Sequence, residues 1–163
     1  MSNNFDFTLA IKEGLRLGKE RLEIKDRINK ILQTFADDLQ KILSQNSPQN
    51  IFVQKKHIVV REKGSTLAAI YGLGVSERAI KEEYDAVCLF DEFTKDNPFV
   101  VFRYEIDPVK GFPCKIQYDS SSFICKKESS LIETIKAAIK YKGLAISEKV
   151  REFMNNSNKK EKQ

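Results

Sequence analysis

His57 is the sole histidine of this chain, and any serine or cysteine triad would have to use it as its base. It stands in "QKKHIVV", a basic alternating stretch with no nucleophile placed around it, and that pattern reads as an ordinary strand histidine. The three cysteines are Cys88, Cys114 and Cys125. They lack the CxxC-type spacing of a structural zinc site, even with His57 as a fourth ligand. No metal and no cofactor is expected. "GLG" at Gly72–Gly74 is too short to cradle a phosphate and no "GK[ST]" follows, while "GLRLG" at Gly14–Gly18 falls inside a helical pattern.

"GFPCKIQYDSSSFICKK", from Gly111 to Lys127, reads as a hairpin. With its turn centred on Ser120 and Ser121, one face carries Cys114, Ile116, Tyr118, Phe123 and Cys125. Both cysteines then point inward on a diagonal, about 7–8 Å apart at Cα. A relaxed disulfide wants about 5.5–6 Å, so two buried free thiols are expected. The odd cysteine count agrees with a reducing compartment. "MSNNFDFTLAIKEG" has no basic segment followed by an apolar run, and a cytoplasmic location is expected.

The acidic residues cluster in sequence. Between Ser76 and Asp96 stand Glu77, Glu82, Glu83, Asp85, Asp91, Glu92 and Asp96, against Arg78, Lys81 and Lys95, for a net −4. A metal-dependent nuclease needs carboxylates converging on one point, and this spread across loop and exposed strand positions does not bring that about. Two readings remain: a solvated loop face, or an acidic docking surface for a basic partner. In the second, Glu77, Glu82, Glu83, Asp85, Asp91 and Glu92 supply charge and Tyr84 and Phe93 supply aromatic anchors.

The net charge of +5 points the other way, toward nucleic acid, but it is spread out: +1 over residues 1–50, +1 over 51–127 and +3 over 128–163. A phosphate footprint should be concentrated. The short run Lys55, Lys56, His57, Arg61 and Lys63, with the Lys159–Lys162 tail, keeps a nucleic-acid partner as the alternative.

These residues must be held by a scaffold, and hydrophobic spacing gives its outline. Residues 6–44 read as a long helical arm, with Ile11, Leu15 and Leu22 as one apolar set and Ile28, Leu32, Phe35, Leu39 and Ile42 as a second in heptad rhythm. The second set fits either a helix laid across a sheet or a seam to a second copy, so both a monomer and a homodimer through this helix are open. Residues 51–127 read as a meander of about six antiparallel strands, with "KGS" and "TKDN" as turns and "GVSERAIKEEY" as a loop or short helix. From residue 129 to 154 the helical period returns as two helices, the first capped at Gly143, and residues 155–163 form a basic tail without apolar anchors. Helices and strands are segregated, which predicts a single α+β domain over residues 1–154. No apolar run is long enough for a membrane span.

"GFPCKIQY", the cysteine-bearing strand after it and "SSLIETIKAAIKYKGLAISEKVREF" resemble the C-terminal half of small immunity proteins encoded beside contact-dependent and other polymorphic bacterial toxins, over residues 84–154. The resemblance implies a cytoplasmic inhibitor that binds one cognate toxin domain, often a nuclease, and has no catalysis of its own. Carboxylates from Glu77 to Asp96 would then oppose a basic cleft on the toxin.

Overall fold

The computed structural model describes residues 7–46, 51–61 and 80–160. Its first element is α1, Thr8–Asn46, a single helix of 39 residues and so about 58 Å long. Ile28, Leu32, Ala36 and Leu39 are its buried residues. They follow one another at helical spacing, so one stripe of the C-terminal half meets the core. The heptad rhythm therefore marks a helix on a sheet.

Five antiparallel strands follow: β1, Phe52–Arg61; β2, Ile80–Phe90; β3, Phe99–Asp107; β4, Gly111–Tyr118; and β5, Ser121–Cys125. They form one meander in the order β1-β2-β3-β4-β5. The sixth strand expected after "KGS" lies outside the described residues, as does most of "GVSERAIKEEY". The end of that segment is corrected: Ile80 to Tyr84 belong to β2, because ladder pairing with β1, Tyr84 to Ile58 and Glu83 to Val59, overrides the local run of charges Lys81, Glu82 and Glu83.

The last element is α2, Glu128–Lys160, one helix where two were expected. Leu131, Ile135, Ala138, Ile146 and Phe153 are all buried. Their period passes through Lys142 without a break in phase. Lys142 holds that core-facing position because its ammonium reaches the Asp119 carboxylate. A charged residue on the stripe thus mimics a helix end in the sequence. Gly143 is mid-helix rather than a cap, and α2 runs through the first residues of the expected tail.

Both helices lie on the same face of the sheet. α1 crosses β1 and β4, and α2 packs on β3, β4 and β5. Between them and the sheet sit Val53, Val87, Leu89, Phe102, Ile116 and the two hairpin cysteines. Arg27 joins the helices through Glu128, Nε to Oε1 at 2.9 Å. On the opposite face a second, smaller cluster of Ala86, Cys88 and Phe90 is packed by Ile58, Tyr84 and Val100.

Two register details fix which side chains share a face. Val87 pairs with Phe102 but Cys88 pairs with Val100, so Val101 is an extra, bulged residue. The bulge reverses the alternation, and Val100 lies on the face opposite Phe102 rather than beside it. In the hairpin, Tyr118 pairs with Ser121, Ile116 with Phe123 and Cys114 with Cys125. The turn is Asp119–Ser120, one residue earlier than expected. Asp119 has φ 49°, a left-handed conformation that aspartate tolerates. A register slip of two keeps every side chain on its face, so Cys114, Ile116 and Cys125 are buried as expected, with Tyr118 partly buried, whereas Phe123 on the same face is exposed. The cysteines, however, are directly opposed rather than diagonal.

The outer edge of β1 is partly closed by a side chain. Gln40 Nε2 donates to the Ile51 carbonyl at 2.7 Å, and the Val53 N–H donates to Gln40 Oε1 at 2.6 Å. One amide thus replaces a neighbouring strand at that end.

Candidate functional site

The sequence cluster of acids is divided by the fold. Glu82, Glu83, Tyr84 and Asp85 lie in the first half of β2, and Asp91, Glu92 and Phe93 follow its far end. Extended strand separates Glu82 from Asp91 by about 30 Å. They do not form one surface, which corrects the expectation of a continuous acidic docking face. Glu77 lies outside the described residues.

At the far end, Asp91 is buried and organises the β2–β3 turn. Its Oδ1 accepts from the Phe93 N–H at 3.0 Å, the Thr94 N–H at 2.8 Å and the Thr94 hydroxyl at 2.7 Å. That carboxylate is committed to local structure, since a buried charge must be hydrogen-bonded to be tolerated. Glu92 and Phe93 are exposed beside it.

At the near end, Glu82, Glu83 and Asp85 are exposed and Tyr84 is half-buried. Alternation of the strand sends them to two faces. Glu83 and Asp85 share the helix-bearing face with His57, which pairs across the ladder with Asp85. His57 Nδ1 lies 2.9 Å from Asp85 Oδ1, and Nε2 lies 3.8 Å from Glu83 Oε2. The Asp85 hydrogen bond raises the imidazole pKa above its usual value. His57 is therefore an ion-pair partner, and among the described residues its side-chain contacts are the carboxylates of Asp85 and Glu83.

Glu82 and Tyr84 share the other face. Arg103 is ion-paired to Glu82 and its guanidinium stacks 3.7 Å from the centre of the Tyr84 ring. A shallow depression of about 190 Å³ opens here, lined by Glu82, Glu83, Tyr84, Arg103, Glu105 and Lys115 among others. Sequence reading did not single out Arg103, Glu105 or Lys115. The alternation of "FRYEID" and "CKIQY" placed them outward, but strand register is what gathers them beside Tyr84.

The basic run is also divided. Lys55 reaches toward Asn29 of α1, whereas Lys56 turns to the opposite face, donates to the Lys95 carbonyl at 2.7 Å and lies 4.0 Å over the Phe90 ring. Lys63 and the last tail residues lie outside the described residues.

The cysteines are free and buried. Cys114 and Cys125 are directly opposed, a position that brings Cα atoms to about 4.5–5.5 Å, within reach of a bridge. Burial pushes the Cys114 thiol up to about 12, with the neighbouring Cys125 adding to it, and the Cys88 thiol up to about 11. Thiols held this way are poor nucleophiles. Among the described residues no group of three or more His, Cys, Asp or Glu side chains is placed to hold a metal ion. Nor is any described helix long and apolar enough to cross a membrane.

Comparison of the chain with protein-family models, with curated proteins and with solved structures finds no match in any of the three.

Proposed function

We propose that this chain is an immunity-type inhibitor, a binding protein without catalysis of its own that neutralises a cognate toxin domain in the cytoplasm. The observation that carries this reading is the near end of β2. Exposed Glu82 stands beside Tyr84 at the edge of a depression that also presents Glu105, and Glu83 and Asp85 are exposed on the other face of the same strand segment. Carboxylates around an aromatic side chain attract a basic surface, such as a nuclease cleft, and give it a central anchor. The interface is thus assigned to one end of the acidic cluster, with Asp91 left to its turn. The buried protonated thiols and the carboxylate-bound His57 support a role without a nucleophile.

Capture of the tagged chain from its native cells tests the reading. The expected result is one stoichiometric partner carrying a toxin domain. Its retention should fall by at least about tenfold in an E82K/E83K/D85K variant and hold in an E92K variant. Equal loss from both variants, or recovery of nucleic acid instead of a protein, overturns it.

A further inference from the structure

The N-terminal half of α1 carries an apolar seam that the rest of the described residues do not use. No residue from Phe7 to Arg27 is buried. Ile24 and Lys25 touch the β3–β4 turn, through Gly111 and the Pro108 carbonyl. Ahead of them, Ile11, Leu15 and Leu22 are 59%, 71% and 61% exposed. With Gly18 they fall at spacings of 4, 3 and 4, the a and d positions of a heptad. At 100° per residue this stripe is rotated by roughly a quarter to a third of a turn from the buried stripe of Ile28, Leu32 and Leu39. It is therefore not a continuation of the face laid on the sheet.

Charge is sorted around this seam. The positions flanking it, e and g, hold Lys12, Lys19 and Arg21 together with Gly14. The acids sit on the far side: Glu13 and Glu20 are both at f, and Arg16 ties them back at 2.5 Å each. Phe7 and Leu9 are also exposed here; at 100° per residue Phe7 widens the seam only to about 80° and Leu9 stands on the far side, so the seam stays the narrow a/d stripe of a helix partner. A helix lying in a membrane surface presents a wider apolar sector, 100° or more by the usual amphipathic pattern. A Cβ added at Gly14 or Gly18 would meet nothing within 4 Å, so a second backbone can come close on this side. In a two-fold antiparallel pair of these helices each flank meets its own copy. Lys12 and Lys19 would then face lysines and Arg21 an arginine. Like charges there disfavour a second copy.

We propose that the N-terminal half of α1 docks an amphipathic helix of another protein whose apolar seam is flanked by acidic residues. This surface is separate from the near end of β2, and it stands whether or not that end binds a toxin.

Two designed peptides of about four heptads, Leu at a and d and either Glu or Lys at e and g, test the inference by fluorescence anisotropy with the full chain. The Glu-flanked peptide should bind, and at least about tenfold tighter than the Lys-flanked one. Raising the salt should weaken it. L15E should abolish binding without unfolding the chain, because Leu15 is exposed. K12E/K19E/R21E should exchange the preference of the two peptides. The inference is overturned if neither peptide binds, if both bind alike, or if L15E binds as wild type does. It is also overturned if sedimentation shows a dimer that L15E dissociates, or if anionic vesicles capture the chain through Leu15 while the Glu-flanked peptide does not.

Discussion

The two halves of β2 are covalently continuous and physically unlike. Ile80 to Asp85 are exposed or half-buried, and Ala86 to Phe90 are all buried. The first half is flanked by β1 residues that carry His57 and Val59, the second by Phe52 and Val53. The second half joins the core under the helices through Val87 and Leu89. An acid in the first half can face a partner, whereas an acid at the end of the second becomes part of the fold. Asp85 and Asp91 are the same residue type, and burial alone assigns them different work.

That contrast can be broken by substitution. The largest effect is expected from Leu89→Ala in the buried half, about 2–5 kcal/mol of lost stability by denaturant unfolding. A loss under about 1 kcal/mol would mean that this half is not close-packed. Asp91→Ala comes next, at about 1–3 kcal/mol, because the part-buried Phe93 and Thr94 N–H groups lose a charged acceptor. If Asp91→Ala is neutral, the turn is not built on its carboxylate. Glu83→Lys in the exposed half should change stability by no more than about 0.5 kcal/mol. A larger cost would place structure where we place a binding surface.

The smallest effect concerns His57. Its folded pKa is raised, by the Asp85 hydrogen bond first of all. The stabilisation it contributes is therefore fully present below its ordinary value of about 6.5 and is lost as pH rises through the folded value. The denaturation midpoint of wild type should exceed that of Asp85→Asn more at about pH 5.5 than at about pH 8.5. An unchanged gap would remove the His57–Asp85 pair as a pH-dependent contact.

A second contrast, between the halves of α1, has the same cause. Ile28, Leu32 and Leu39 meet the sheet, while Ile11, Leu15 and Leu22 meet solvent. Both sets have helical spacing in the sequence. Only the length of the sheet decides which of them has something to pack on.

Local chemistry determined much of this molecule. Hydrophobic period announced the long helix, the strands on either side of "TKDN" and the inward set Cys114, Ile116 and Cys125, because period and face survive a register slip of two. Thiol burial followed from the same alternation. What only the tertiary structure decided was which distant positions meet. The bulge at Val101 reversed a strand's faces, and the Lys142–Asp119 pair let a helix run through a charged core position. Extension of β2 carried the two ends of one acidic cluster about 30 Å apart. Arg103 came to stack on Tyr84 by register alone. Spacing along the chain encodes periodicity, but the meeting of separate elements depends on the packing of all of them at once.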